Sequence, residues 1–413
     1  MLKNYLKIAW KVLLRRKFFT FISLFGISFT LMVLMVATAL YDHAFGPQMP
    51  EKDLDRILFV NMMQERKDGG YQMSGPPSYT FLDRKVRTLT TPEMVSINSI
   101  FQTVNSYIDN RKLALDIKFT DSEFWQILDF EFVEGGPFGP QEVRNAQRVA
   151  VINEATRQNY FGNTTAVGKT IVADQVSYTV VGVVKDVPVL RLHSYADMWV
   201  PLSLRTEDYS STSLRGEYFA TIKAHSSSDI DNIKNEFAVI LQDVERQHPE
   251  KGTKLYSYPD SIVEGFARTF LGNDDDTGMA KLYAILAAAV LLFMLLPAIN
   301  LVNINISRIM ERSSEIGVRK AFGATSSTII GQFIIENIFL TLLGGLLGFL
   351  LSAGVLWLIN DSGVIVYADL GLNLRVFALG LFFCLVFGLV SGVYPAYKMS
   401  RLHTVAALKG GNQ

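Results

Sequence analysis

Residues 309–325 read IMERSSEIGVRKAFGAT and lie between two long apolar runs, so the reading of this charged stretch decides how the chain is arranged about a membrane. Arg308, Arg312, Glu315 and Arg319 recur at spacings of four, three and four, which places them on one side of a helix. Glu315 stands four residues before Arg319, the favourable order for a helical ion pair. Gly323 is the residue type that most easily takes the left-handed turn ending a helix, and Ala324 and Thr325 lead into the next apolar run. The segment reads as a short charged helix at a membrane exit, shaped to be gripped from the aqueous side. An ordinary basic cytoplasmic loop would carry the same charges.

At 413 residues the chain has room for more than one domain, and 49% hydrophobic against 19% charged residues puts it at the apolar edge of soluble proteins. The formal net charge of +0 leaves no basic excess to neutralise phosphates, so no nucleic-acid partner is expected. Cys384 is the single cysteine and falls in an apolar run, which excludes an intramolecular disulfide and argues against thiol or zinc chemistry.

Residues 1–17 carry Lys3, Lys7, Lys11, Arg15, Arg16 and Lys17 without an acidic residue, while Leu2, Tyr5, Leu6, Ala9, Val12 and Leu13 repeat with helical period. That is a basic amphipathic helix for an anionic lipid surface. Residues 18–41 contain no charge until the run ends, and at about 36 Å as a helix they can span the hydrocarbon layer. A signal peptide is the rival, with Ala37-Thr38-Ala39 as its site, but the run is longer than a signal core. From 42 to 281 charges and turn residues are scattered as in a soluble domain. Strand, helix and extended stretch follow one another at 56–62, 78–89 and 95–108; β-rich segments at 147–153, 169–173 and 176–185 flank a helix at 154–160; and 218–224, 230–247 and 254–258 repeat the strand, helix, strand order. Two α+β lobes, one inserted in the other, are expected.

Three further apolar runs follow at 282–306, 327–359 and 376–397. Pro297 is a candidate hinge in the first of these. Gly344, Gly348 and Ser352, and then Cys384, Gly388 and Gly392, form small-residue stripes that suit close helix packing. Glu336, a charge within the third span, is a functional candidate or a satisfied interfacial carboxylate. Basic residues concentrate in 1–17, 307–326 and the tail 398–413, whereas Asn360 to Leu374, in the outer loop 360–375, carries Asp361 and Asp369 and no basic residue. By the positive-inside rule both termini and the 307–326 connection are cytoplasmic and the 42–281 domain is outside.

Other motifs carry little. Gly162–Thr170, GNTTAVGKT, imitates a phosphate loop, but five residues separate its glycines and β-branched strand follows Lys169-Thr170, so it reads as a turn. Asn273–Gly278 resembles a calcium loop yet has Ala284 where the closing glutamate belongs. The five histidines are dispersed, with no hydrolase or metal constellation, and no catalysis by this chain is expected.

Four stretches together resemble the permease subunits of ABC systems of the MacB and FtsX-like type: RRKFFTFISLFGISF at 15–29, VAVINEATRQNYFGNTTAVGKTI with YTVVGVVKDVP at 149–188, ERSSEIGVRKAFGAT at 311–325, and YPAYKMSRLHTVAALK at 394–409. The third is the most specific, because Arg312, Glu315, Ile316, Gly317, Arg319, Ala321, Gly323 and Ala324 stand in a pattern similar to the family's cytoplasmic coupling segment. The resemblance implies an α-helical membrane protein with four transmembrane helices and a large α+β extracytoplasmic domain, one lobe porter-like and the other β-rich and inserted, between helices 1 and 2. It implies a dimeric permease of the inner membrane, a homodimer or a heterodimer with a similar chain, and a periplasmic adaptor as a candidate further partner. ATP and Mg would be bound by a separate cytoplasmic ATPase, no cofactor by this chain. That ATPase would dock on Glu311, Arg312, Glu315, Ile316, Gly317, Arg319, Lys320, Ala321, Gly323 and Ala324. Export or extraction of a drug, peptide, lipid or lipoprotein is the leading expectation, and FtsX-like activation of an envelope hydrolase without transport is the alternative.

Overall fold

A computed structural model describes residues 10–400 except 12, 16, 68–69, 71, 109–110, 206–210, 249–251, 274–275, 312–317 and 319–321, with the backbone path alone at 108, 111, 296–298, 300–301, 303–311 and 391–400. The longer helices are α1 (Lys17–Phe45), α2 (Glu154–Phe161), α3 (Ile230–Arg246), α4 (Ile262–Phe270), α5 (Met279–Glu311), α6 (Ser326–Ser362) and α7 (Leu374–Ser400). The chain divides into two compact units: a helical one of Met1–Tyr41, Tyr283–Val364 and Asp369–Gln413, and an α+β one, here the outer unit, of Asp42–Leu282 and Ile365–Ala368.

In the helical unit α1 and α6 are each long and apolar enough to cross a membrane; the apolar described parts of α5 and α7 run Met279–Leu295 and Leu374–Val390. Small residues set how closely these helices meet. A Cβ at Gly344 would lie 2.9 Å from the Cβ of Ile27, and one at Gly348 would lie 3.0 Å from both the Leu31 Cβ and the Ser28 carbonyl oxygen. The Gly344/Gly348 stripe is therefore turned toward α1 of the same chain. The Ser352 hydroxyl is spent on the Gly348 carbonyl at 2.7 Å. Gly388 offers its carbonyl to Asn337 Nδ2 at 3.4 Å, and Gly392 lies on the backbone of α7. Glu336 is buried and accepts from Gln332 Nε2 at 2.8 Å, so it is satisfied locally.

The outer unit is built on strands β1 (Ile57–Val60), β2 (Met63–Arg66), β3 (Gln72–Gly75), β4 (Met94–Ser99), β5 (Gln102–Ile108), β6 (Arg111–Thr120), β7 (Phe132–Gly135), β8 (Val149–Asn153), β9 (Thr170–Ala173), β10 (Val176–Val184), β11 (Met198–Pro201), β12 (Tyr218–Lys223), β13 (Lys254–Tyr256) and β14 (Pro259–Asp260). The two expected lobes share one sheet of order β14-β1-β12-β4-β6-β11-β8-β10-β7, with β5 on β6 and β9 on β10; β13-β2-β3 forms a second, small sheet. They meet through the single register pair Asn98↔Thr120 of β4 and β6. Period-two alternation then separates their cores. Leu58 and Val60 of β1 enter the first core with Ile222 and Phe237, whereas Ile57 and Phe59 enter the second with Phe124 and Trp199. Helix α3 closes the first core with Ile233, Phe237, Leu241 and Val244, spaced four, four and three along one face. Strand β8, VAVIN, is buried throughout because its two faces serve two cores: Val149 and Val151 one, Ala150 and Ile152 the other. It pairs in parallel with β10, and α2 makes the crossover, capped by Asn153 accepting from Thr156 N at 2.8 Å.

Asp121, just past β6, ties the lobe junction together. Its carboxylate accepts from Ser96 Oγ at 2.6 Å, Ile97 N at 2.7 Å, Arg87 Nη2 at 2.7 Å and Phe124 N at 3.1 Å. Burial nevertheless outweighs these donors and pushes its pKa up to about 6. Between that value and the ordinary aspartate range near 4, the folded chain holds a proton that the unfolded chain has released, so the site becomes more stabilising as pH falls through this window. Wild type should accordingly gain on the order of 2 kcal/mol relative to Asp121→Asn as pH is lowered from about 6 to about 4, read from urea unfolding of the outer unit in the detergent-solubilised chain. In the helical unit, Gly348→Leu should lower stability by about 1–3 kcal/mol through overpacking against α1. Gly354→Leu, where an added Cβ meets nothing within 4 Å, should leave the melting temperature nearly unchanged.

Candidate force-transmitting site

The charged connection is entered by α5, which continues through Pro297 and ends at Glu311. Arg312, Glu315, Ile316, Gly317, Arg319, Lys320 and Ala321 lie outside the described residues. At the far side Phe322 stands 88% exposed and Gly323 has φ +90°, the left-handed conformation that glycine accepts without strain. Thr325 then caps α6, its hydroxyl accepting from Thr328 N at 3.4 Å, and Ala324 packs with Ile329, Ile330 and Phe333. This end of the connection is a fixed turn that presents one large aromatic ring to solvent.

A second candidate element is the neck at the other end of α1, where the helix is one unbroken run to Phe45 and its residues from Asp42 onward belong to the outer unit. His43 is buried there, and the Gly46 carbonyl just beyond the helix is captured by a side chain from far along the sequence. Arg191, fully buried, donates from Nη2 to the Gly46 carbonyl at 2.6 Å and from Nη1 to Glu51 Oε2 at 3.0 Å. Glu51 is equally buried, and its other oxygen accepts the Ser194 hydroxyl at 2.7 Å. Lys118 on β6 holds the same segment, its Nζ donating to the Leu192 and His193 carbonyls at 2.8 and 2.7 Å. Burial lowers the Lys118 pKa to about 7, against the raising influence of Glu51. The His193 ring stacks on Phe59 at 3.8 Å between centroids and is held neutral, burial and Lys118 lowering its pKa to about 3. Opposite charges, two carbonyls and a stacked ring thus fix residues 191–194 and, through Gly46, the end of α1.

The profile of the MacB-like periplasmic core domain matches residues 20–240, just over half of the chain, and that of the FtsX-like permease C-terminal region matches 287–404. The chain belongs to the MacB/FtsX-like permease family. Among similar proteins, a macrolide export ATP-binding/permease protein MacB of Pasteurella multocida is 26% identical over 72% of this chain and 44% of its own length. An uncharacterized ABC transporter permease YknZ of Bacillus subtilis is 25% identical over 80% of this chain and 79% of its own. A pyoverdine export ATP-binding/permease protein PvdT of Pseudomonas savastanoi is 29% identical over 70% and 42%. The chain therefore spans less than half the length of the MacB and PvdT relatives.

In this MacB-like permease the imitation phosphate loop is occupied from within. Ala166 N donates to Glu134 Oε2 at 2.9 Å, while Arg157 Nη1 reaches Glu134 Oε1 at 3.2 Å. The Ala166 bond, first among several, holds the Glu134 carboxyl below its usual range. Gly162 and Gly168, at φ +61° and +85°, supply the left-handed turns that bring the loop around this carboxylate. Among the described residues no group of three or more His, Cys, Asp or Glu is placed to hold a metal ion.

Sequence reasoning did not find Arg191 and Glu51. The available signal was an arginine inside the apolar stretch VPVLRLHSY, a charge that burial must pair. Arg191→Met and Glu51→Gln should each destabilise the outer unit by about 3–5 kcal/mol, since each leaves a buried charge or its orphaned partners behind. The double variant should recover part of that loss, measured as a double-mutant cycle by chemical unfolding.

Proposed function

We propose that the chain is the permease subunit of an ABC transporter in which ATP hydrolysis by a cytoplasmic partner moves the outer unit. The observation that supports this best is the neck: α1 runs without interruption from the helical unit into the outer unit, where Arg191 holds its end. A rigid helix with a fixed end transmits displacement, because packed elements shift between discrete arrangements rather than deform smoothly.

In this reading α1, α5, α6 and α7 all span the bilayer, both termini and the Glu311–Ala324 connection face the cytoplasm, and two permease chains pair across the membrane. The partner ATPase carries ATP and Mg and docks on the charged connection; no Walker motif occurs within the 413 residues. The cargo is a small molecule, peptide, lipid or lipoprotein taken from the outer face, as the macrolide and pyoverdine export named for two relatives suggests.

Co-purification in mild detergent tests the reading. Wild type should retain an ATPase subunit, and Glu315→Lys or Gly317→Trp should lose it while the outer unit keeps its melting temperature. An outer unit that labels from the cytoplasm, or a wild-type chain that retains no ATPase, would refute it. Retention of the ATPase together with stimulation of an envelope hydrolase, and no cargo movement, would favour the signalling alternative.

A further inference from the structure

The loop between α6 and α7 does not stay with the helices it joins. Its middle, Ile365–Ala368, belongs to the outer unit, so the chain passes between the two units at four places: after Tyr41, Leu282, Val364 and Ala368. Tyr367 anchors this excursion. Its hydroxyl donates to Asp197 Oδ1 at 3.0 Å, and its ring packs against the core that contains Phe124 and Trp199. The backbone there has φ +56°, a conformation that a tyrosine keeps only where its surroundings hold it.

Asp197 is a junction rather than a surface acceptor. Asn153 Nδ2, at the cap of α2, donates to its Oδ1 at 3.1 Å, and the backbone N–H of Asp116 on β6 donates to its Oδ2 at 3.0 Å. The Asp116 carboxylate in turn accepts the Tyr195 hydroxyl at 2.7 Å, and the Asp197 carbonyl accepts Asn153 N at 3.1 Å. One carboxylate therefore cross-links the end of β8, the middle of β6 and the start of β11, and Tyr367 adds the loop to that point. The loop is also short and braced. Asn360 bonds Leu370 in both directions at its base, Nδ2 to the carbonyl at 3.2 Å and Oδ1 from the N–H at 3.0 Å, and an Ala368 N to Ile365 carbonyl bond of 3.2 Å closes its tip.

A braced loop with a gripped tip moves with the helices at its base. We propose that Tyr367 is the positioning residue of a further mechanical attachment, one through which displacement of α6 and α7 reaches the β6–β8–β11 junction of the outer unit. The proposal rests on the force-transmission reading given above, yet it concerns coupling within this chain and is tested without any ATPase.

The test is a cycle in the full-length chain in lipid nanodiscs, read by amide hydrogen exchange. Gly345→Leu disturbs the contact between α6 and α7, since even a Cβ there would lie 2.6 Å from Leu381 Cδ1. Tyr367→Phe keeps the ring and removes only the hydroxyl. Gly345→Leu should speed exchange at 151–156 and 198–201 about fivefold, equivalent to a coupling of about 1 kcal/mol, and the effect should vanish in the Tyr367→Phe background. Asn360→Ala should weaken it in the same sense by loosening the base of the loop. No change on Gly345→Leu, or an equal change with and without the Tyr367 hydroxyl, would overturn the proposal and leave Tyr367 a local clasp. Absence of a bound ATPase from the wild-type chain would refute only the reading in the preceding subsection.

Discussion

A buried arginine must be paired, and much of the outer unit's arrangement follows from how Arg191 meets that demand. Its guanidinium offers donors in a rigid fork, and two of them are satisfied by Glu51 and by the Gly46 carbonyl just beyond α1. Replacing both partners by well-packed hydrophobic residues of the same volume would cost little, because two desolvated charges recover little beyond their own solvation cost, whereas removing one strands the other. What the pair adds is geometry. An apolar contact tolerates sliding, whereas a fork bonded to one carboxylate and one carbonyl fixes the end of the helix to a particular stretch of the fold. Lys118, bonded to the Leu192 and His193 carbonyls, and Ser194, bonded to Glu51, add further polar contacts to the same segment.

The same economy of polar groups shapes the stretch that imitates a nucleotide loop. A phosphate loop needs unoccupied backbone N–H groups at the start of a helix. Between Gly162 and Lys169 these groups point into the fold: Ala166 N bonds Glu134 and Gly168 N bonds the Val180 carbonyl at 2.8 Å. The carboxylate takes the position of an anion, and Arg157 balances its charge. The loop is a turn between α2 and β9 whose glycines are demanded by backbone geometry.

Local patterns were legible in the sequence wherever periodicity or end chemistry decides them. The apolar runs, the α3 stripe from Ile233 to Val244, the Gly323 turn and the Asn153 segment all follow from spacing and residue type. Long-range pairing was not legible. Strands β1 and β12 are paired through Val60↔Ala220, and Arg191 finds Glu51 across 140 positions; no periodicity encodes such a choice. The expectation of two lobes was half of the answer, because alternation along β1 sends neighbouring residues into different cores and so joins lobes that composition alone separates. The loop 360–375 was the hardest case. It is short and ends in polar residues, which reads as an ordinary outer connection, and the bond from Tyr367 to Asp197 with the ring packed against the second core shows where its tip is held.

These attachments differ in kind, and the difference bears on how a movement would be shared. At the neck a continuous helix leads into the Gly46 carbonyl, which the buried Arg191 of the Glu51 ion pair binds. At the entry to α5 the bonds are local, Gly278 N to Asp276 Oδ1 and Asn273 N to the Asp276 carbonyl, each at 3.0 Å. At the α6–α7 loop one hydroxyl meets a carboxylate that already binds β6 and β8. A stiff strut, a turn and a single hydrogen-bonded clasp form a graded set. The first resists through several buried polar contacts, the second through bonds local to one turn, and the third through one hydroxyl on a carboxylate, so the three differ in how many bonds must break before they yield.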